Sequence, residues 1–421
     1  MYFCPRYDFP NLALIMKKIF CFFLFLLSVT LLSANDGAFH AAGNQLIPIN
    51  ESDIRVQKEI LTINRVGNHL EVTVYYEFFN PVDAKDLLVG FEAPGPYDAD
   101  FLQNFPQQTY ISDFVVMMNG EILPYEIAHV QSLTTADGTF YEPKTGDEDV
   151  THAYFQNGKI QSLTRQQCED MAHNNEGLTC PFHYVYHFKA HFNKGLNIIR
   201  HTYHFELSAF VGDYYWFDYI LTAANRWANH QIDDFTLDIN MGDCESFALQ
   251  PTFFNDCDEW SFTGAGRKDS AILFSKDYCF FHVQSGSVRF HKENFHPDGE
   301  LHIRSPHLIQ WFWRYVEENW KKNWLEGLQW EYFPLDAEAL SNIILYIGQC
   351  SLNEFEKSVV KNLPLAYRGY IFEDKKDKKL QKFFSESHWY VPNPDYKPYN
   401  AKSEFLEWRQ YWGEWECVII Y

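Results

Sequence analysis

The chain has 421 residues, with 56 acidic side chains against 34 lysines and arginines, and a formal net charge of −22 at pH 7. A surface this acidic repels phosphate backbones and anionic lipid, which argues against proteins that bind nucleic acid or membrane surfaces. It favours divalent cations or a basic partner, and the length allows two or three domains.

The first element is a signal-like segment. Two lysines precede a mostly apolar run at residues 19–32, and small side chains lead up to Ala34. A charged start, a short apolar stretch and a small residue at the cut are the three parts of a secretory signal peptide. The run is also shorter than the roughly 20 residues that span a bilayer. We expect residues 1–34 to be removed, with residues 1–15 not translated because Met16 is the better start. The mature chain is then extracytoplasmic (periplasmic or secreted) and not an integral membrane protein.

Seven cysteines follow the expected cut. In an oxidising compartment they are disulfide candidates rather than redox or zinc sites. A Cys168–Cys180 bond would close a polar loop, and a Cys350–Cys417 bond would hold the C-terminal region. The remaining three leave one odd thiol: Cys244, Cys257 and Cys279. Spacing does not determine connectivity, so free buried cysteines remain the alternative.

Residues 35–306 have the pattern of short strands. Residues 70–79 are β-branched and aromatic, and residues 182–192 alternate aromatic side chains with polar ones. A turn at residues 193–195 predicts a returning strand at 196–207. Shorter strands are predicted at residues 235–239, 270–274, 288–290 and 301–303. The fold class predicted is mainly β, one or two antiparallel β-sandwiches, with a small C-terminal α-helical module.

In the C-terminal quarter of the chain the residue pattern changes from strand-like to helical. Residues 307–334 predict an aromatic linker helix, and residues 335–421 predict the helical module. Ser351-Leu352-Asn353-Glu354 matches a capping box, which predicts a helix to about residue 362. A second helix is predicted over residues 380–384.

The pattern of this module is that of a known family. It combines Asn362, Ala366, residues 369–372, residues 380–384 and Trp389-Tyr390-Val391-Pro392-Asn393. These positions resemble the YARHG domain of exported bacterial proteins. The family's Tyr-Ala-Arg-His-Gly corresponds here to Leu365-Ala366-Tyr367-Arg368-Gly369, so its namesake Tyr, Arg and His are missing.

The N-terminal region resembles a second family. Its matching segments are residues 35–37, 45–49, 58–61, 76–81 and 90–94. They are similar to a family of exported bacterial proteins of unknown function, whose members often carry a YARHG module. Neither resemblance implies an activity, a cofactor or site residues.

Candidate sites are few. His183, His187 and His191 lie on one face of a predicted strand, but four-residue steps of about 13 Å are too long for one metal ion. A calcium loop at residues 147–149 lacks the EF-hand spacing, so a solvated loop is the favoured interpretation. No nucleophile elbow, zinc-protease helix or phosphate-binding loop occurs, so we predict no metal, no cofactor and no catalytic residues.

Aromatic side chains are the ligand-binding candidates. Trp320, Trp324, Trp389 and Tyr390 could stack on sugar rings, although tryptophans at helical spacing more often pack in a core. We therefore predict an exported, non-enzymatic binding or structural protein of the bacterial cell envelope, with a glycan or an envelope protein as partner. The alternative is a hydrolase that acts on glycan or peptidoglycan, whose carboxylate pair the sequence cannot identify.

Overall fold

The structure is a computed structural model, and it describes the following residues: 46–48, 53–93, 102, 104–131, 155–156, 159–173, 180–207, 213–269, 278–306, 324–329 and 352–398. Within them the chain forms three larger sheets and one two-stranded pairing. The predicted strand at 270–274 and the calcium-loop segment at 147–149 lie outside these residues.

The strands are numbered along the chain, whereas their order within each sheet is spatial. The four-stranded sheet contains β1 (Leu46–Pro48), β4 (Lys85–Ala93), β10 (Phe182–Phe192) and β7 (Glu126–Gln131). The eight-stranded sheet contains β15 (Trp260–Phe262), β18 (Val288–Phe295), β13 (Ile232–Asn240), β2 (Arg55–Val66), β3 (His69–Asn80), β11 (Gly195–Glu206), β5 (Ile111–Met118) and β6 (Glu121–Ile122). The five-stranded sheet contains β12 (Asp213–Tyr219), β19 (Leu301–Pro306), β14 (Glu245–Leu249), β17 (Cys279–Ser285) and β16 (Ala265–Asp269). The separate pair is β8 (Phe155–Gln156) with β9 (Lys159–Ile160).

The centre of the eight-stranded sheet is a hairpin of two long strands. In β3 every second side chain from Leu70 to Phe78 is buried, so one face lies on the core and the other is accessible to water. β2 and β3 are joined at the Val66–His69 pair, and Gly67 in the turn has φ +62°. A glycine suits this left-handed turn position because it carries no Cβ.

The eight-stranded sheet packs against both other sheets. Phe91 of β4 lies 5.3 Å from Tyr203 of β11, and Phe217 of β12 lies 5.2 Å from Phe205 of β11 (ring centroids). One continuous hydrophobic core therefore runs between the layers. The predicted fold class, mainly β with sandwich-like layers and a small C-terminal helical part, is confirmed.

The pairing of the strands differs from the expectation in three places. β10 and β11 are consecutive across the predicted turn, yet they lie in different sheets rather than in one hairpin. The strands predicted at 288–290 and 301–303 flank the turn signal Asp298-Gly299, and they also lie in different sheets rather than in one hairpin. β2 pairs with β13 in parallel, whereas every other strand pair in the described residues is antiparallel. A turn signal fixes where the chain reverses but not which sheet the next strand joins.

The described helices are α1 (Arg165–His173), α2 (Trp324–Leu328), α3 (Glu354–Tyr367) and α4 (Lys378–Ser385), with 3-10 helices at Thr222–Arg226, Cys257–Glu259 and Lys375–Asp377. The cap of α3 is Asn353, whose side chain accepts from the Phe355 and Glu356 amides at 3.0 Å. The helix ends at Tyr367 rather than near residue 362, since its last turns bury apolar side chains in a second core. Among the described residues no helix is both long enough and apolar enough to cross a membrane.

One disulfide is present in the described residues, and it joins Cys257 to Cys279. Cys244 is therefore the odd thiol of the three that the sequence left unassigned. The predicted Cys168–Cys180 bond is not formed, because both residues are buried free cysteines in this structure. Cys350 and Cys417 lie outside the described residues.

Candidate metal centre

Three metal-ligating side chains meet on the outer face of the eight-stranded sheet. They are His69 and Glu71 of β3 and His204 of β11, and their ligand atoms all lie within 4.8 Å of one another. Glu71 is directly opposite His204 in the strand register, and His69 is two residues before Glu71 on the same face. Side chains two apart on a strand share a face, so the antiparallel pairing brings the three together.

The distances are close to those of a bound ion. His204 Nε2 lies 3.9 Å from Glu71 Oε1, and the His69 and His204 rings have centroids 4.9 Å apart. Tetrahedral zinc, with bonds of about 2.0–2.1 Å, needs its ligand atoms roughly 3.3 Å from one another. Small rotations of these half-exposed side chains would close the remaining gap.

A fourth residue fixes the orientation of His204. Asp113 Oδ2 lies 3.0 Å from His204 Nδ1, on the side of the ring away from Glu71. The pairing of β5 with β11 is interrupted by a bulge between Thr202 and His204, and Asp113 sits in it with φ +53°. Bulges redirect side chains, and aspartate is one of the few residues that tolerates this conformation. A carboxylate on one ring nitrogen leaves the other free to bind metal, as in carboxylate–histidine–zinc arrangements.

The donor set indicates the kind of ion. Two imidazoles and one carboxylate suit zinc and other late first-row divalent metals, whereas calcium and magnesium prefer oxygen ligands alone. The side chains of His204 and Glu71 are 39% and 49% exposed. Water therefore reaches the cluster, and a fourth position would be open to it or to another ligand.

This cluster was not predicted from the sequence. His201 and His204 are three residues apart on β11 and face opposite sides of it, and His201 is fully buried in the core. The sequence does not give the strand register that puts His204 opposite Glu71. The only sequence signal is His-x-Glu directly after the Gly67 turn, and that pattern gives no hint of its partner strand.

The three histidines of β10 are separated, as expected. His183 is buried, His187 is half-buried and its pKa is lowered by burial, and His191 is exposed. His191 Nδ1 lies 2.6 Å from Asp86 Oδ1 on the neighbouring strand. The face of β10 that carries the three histidines is therefore exposed to water only toward its His191 end.

The aromatic candidates that the structure describes are packing residues. The Trp389 indole is buried and donates to the Leu328 carbonyl at 2.8 Å. The Tyr390 hydroxyl donates to the Tyr370 carbonyl at 2.9 Å, and its ring is also buried. Neither offers an exposed ring face to a sugar. Trp320 and the side chain of Trp324 lie outside the described part of the chain.

A hydrolase would need two carboxylates converging in one site. Glu245 has a raised pKa, and burial is the main cause. Its partners are Arg65 Nη1 at 3.1 Å and the Tyr215 hydroxyl at 3.0 Å, rather than a second carboxylate. This arrangement is that of a half-buried structural ion pair.

Comparison with known proteins identifies no family. No family model and no curated protein matches the chain. Among solved structures, a candidate nutrient-binding protein from Legionella pneumophila subsp. pneumophila str. Philadelphia 1 is 16% identical, and the match covers 88% of this chain and 98% of that chain with a TM-score of 0.41. Similarity at this level carries no argument about function.

Proposed function

We propose that this chain is an exported binding protein that holds one divalent transition-metal ion, zinc by preference, at His69, Glu71 and His204. The observation that carries the proposal is the convergence of these three side chains within 4.8 Å. Chance clusters of exposed carboxylates are common, but two imidazoles beside a carboxylate are the donors that zinc selects.

The surroundings add electrostatic support. Glu71 belongs to the cluster, and Asp113 lies next to it in contact with His204. The negative charges of these two carboxylates offset the charge of a divalent cation. The whole chain is strongly acidic, with a net charge of −22, and such a field concentrates cations near the surface.

Export and the wider partner are part of the same proposal. The signal-like segment at residues 1–34 supports export, and the Cys257–Cys279 disulfide is typical of an oxidising compartment. The partner proposed is an envelope protein or cell-wall glycan that supplies a further ligand to the ion. An envelope protein is favoured, since the buried rings of Trp389 and Tyr390 lend no support to sugar stacking.

A second candidate is a zinc-dependent hydrolase of cell-wall glycan or peptide. Two histidines and a glutamate with an open position are also the ligand set of several catalytic zinc sites, where bound water becomes the nucleophile. Non-enzymatic binding is preferred because the half-exposed ligands lie on a sheet face, whereas catalytic zinc sits in a shaped cavity that excludes bulk water.

Metal binding is tested by titrating chelator-treated protein with Zn²⁺ against a chromogenic competitor at pH 7.5. We expect one zinc per chain in the native protein and loss of that site in His204→Ala. His191→Ala is the matched control, because His191 also contacts an aspartate on an exposed strand. Circular dichroism of each variant establishes that it is folded. A native protein that binds no zinc, or equal affinity in the two variants, would rule out the proposed site.

A further inference from the structure

The helical part of this acidic chain carries a basic patch on its surface. Residues 352–398 contain nine lysines and arginines against seven aspartates and glutamates, a net charge of +2, so the rest of the chain carries −24 against a total of −22. The excess is concentrated in residues 375–382, which contain five lysines and one aspartate. Four of these lysines have exposed side chains and form what we call the lysine patch: Lys375, Lys378, Lys379 and Lys382.

The lysine patch is the outer surface of α4 and of the 3-10 helix that precedes it. α4 buries its apolar side chains, Leu380, Phe383 and Phe384, in the second core. An amphipathic helix whose apolar stripe is already buried leaves its opposite face to water. The rise from Lys378 to Lys382 is about 6 Å at 1.5 Å per residue, so these charges lie about one helical turn apart. The patch is therefore compact, and the apolar face of α4 is not available to a membrane.

The position of the lysines is unfavourable for the helix itself. Lys378 and Lys379 are the first two residues of α4, and its first turn contains no acidic residue. The partial positive charge at a helix N-terminus favours aspartate or glutamate there and disfavours lysine. Asp377, which precedes the helix, makes no capping hydrogen bond with its side chain. The lysines thus raise the positive potential of this surface at the expense of helix stability, and such breaches of a local rule are expected at functional sites.

Three lysines of the patch are not neutralised by other described residues. Lys375, Lys378 and Lys379 form no ion pair within the described part of the chain, whereas Lys382 lies 3.7 Å from Glu386. A lysine ammonium is a hydrated point charge on a flexible stem, and it does not impose a bidentate geometry on its partner. The lysine patch is therefore suited to several carboxylates presented together on a flexible chain.

The acidic surroundings limit the shape of the partner. Glu373 and Asp374 lie directly before the lysine patch in the sequence, and the chain as a whole repels anions. At physiological salt, charge interactions are screened beyond about 8 Å, so the patch acts only on groups that approach it closely. A membrane surface or a nucleic-acid duplex is too wide to reach the patch without also facing acidic residues. A short acidic segment of a protein is narrow enough to do so.

We propose that the lysine patch binds an acidic segment of a partner protein, in which several aspartates or glutamates follow one another. Its residues belong to α4 and the preceding 3-10 helix, whereas the metal ligands belong to β3 and β11. The two surfaces do not share a residue, so this proposal stands or fails independently of metal binding.

The test is fluorescence polarisation of a fluorescein-labelled peptide of six glutamates, titrated with the full chain. A chelator is present so that the metal centre does not contribute, and a peptide of six glutamines is the neutral control. We expect saturable binding of the glutamate peptide and none of the glutamine peptide. Raising the NaCl concentration from about 0.05 to about 0.5 M should weaken the binding at least about 10-fold, because salt screens exposed charges.

The patch variant is Lys375→Gln/Lys378→Gln/Lys379→Gln, which removes three exposed charges and keeps side chains of good helix propensity. We expect it to bind the glutamate peptide about 10-fold more weakly, since each exposed ion pair contributes roughly a factor of two. Circular dichroism establishes that the variant is folded.

The matched control is Lys189→Gln/Lys194→Gln/Lys361→Gln, which removes three exposed lysines outside the patch and should change the affinity less than about two-fold. Equal weakening in the two triple variants, or no binding of the glutamate peptide to the native chain, would overturn the proposal. So would tighter binding of phosphatidylglycerol vesicles, a DNA duplex or polygalacturonate that the patch variant abolishes, because the partner would then be a lipid, a nucleic acid or a glycan.

Discussion

His201 makes the stability of this protein depend on pH. Its ring is fully buried, and neither ring nitrogen has a hydrogen-bond partner among the described residues. Aromatic rings surround it, including Tyr76 at 5.8 Å and Phe91 at 5.4 Å between ring centroids. Burial lowers the pKa of His201 from 6.5 to about 3, because the charged imidazolium would lose its hydration without gaining a hydrogen-bond partner among the described residues.

The direction and the size of this pH dependence follow from proton linkage. The unfolded chain binds a proton at this histidine near pH 6.5, whereas the folded chain does not until about pH 3. The free energy of unfolding therefore falls as the pH drops through 6.5, and the loss is complete below about pH 3. At 1.36 kcal/mol per pKa unit, the cost is about 1.4 kcal/mol between pH 7.5 and 5.5.

The variant to measure is His201→Leu, which has a similar volume and cannot titrate. We expect it to be more stable than the native chain by about 1–3 kcal/mol at pH 7.5, since it removes two unpaired buried polar atoms. At pH 5.5 the advantage should grow by about 1.4 kcal/mol, because the titration of His201 is gone.

The assay is urea unfolding followed by tryptophan fluorescence at both pH values, with a chelator present so that metal binding does not contribute. His388→Leu is the control, since His388 is exposed and its replacement should change stability by less than about 0.5 kcal/mol. If the difference between His201→Leu and the native chain is the same at the two pH values, His201 is not buried in its neutral form.

Three other substitutions test separate parts of the structure. Asp113→Asn should weaken zinc binding roughly 10- to 100-fold with His69, Glu71 and His204 intact, and an unchanged affinity in the same competition titration would exclude Asp113 as a positioning residue. Gly369→Ala places a Cβ 2.5 Å from the Val391 carbonyl oxygen at a residue with φ +81°, so the free energy of unfolding in urea should fall by about 3 kcal/mol. Gly120→Ala is the control: its Cβ would have no atom within 4 Å, and the free energy of unfolding should fall by only about 1 kcal/mol. Asn353→Ala removes the cap of α3 and should lower the free energy of unfolding by about 1 kcal/mol in the same assay. An unchanged value would mean that the capping contacts contribute nothing to stability.

Much of the fold follows from local pattern. The β-branched and aromatic composition of 70–79, the alternation in 182–192 and the turn at 193–195 predict the strands β3, β10 and β11. The alternation does not show that β10 also buries His183 and Val185 on its second face. The capping motif at residues 351–354 likewise predicts the start of α3 to within a few residues, although the capping box is formed by Asn353 and Glu356.

The rest depends on contacts between distant segments. β11 pairs with β3 rather than with β10 because the eight-stranded sheet buries the apolar face of β11. The turn at residues 193–195 is compatible with either pairing. The metal centre depends on both the β3–β11 register and the bulge at Asp113. Neither feature can be predicted from the sequence of a single strand.

The parallel pairing of β2 with β13 has a consequence for how the protein is made. Lys58 on β2 and Asp234 on β13 form an ion pair at 2.6 Å although 176 positions separate them in the chain. Until β13 emerges from the ribosome or a translocation channel, β2 presents an unpaired backbone edge to its surroundings. Pairing between strands so far apart in the sequence slows folding. Until it occurs, the exposed strand edge of the nascent chain can associate with strand edges of other chains. The newly made protein would therefore need protection until at least residue 240 has been delivered.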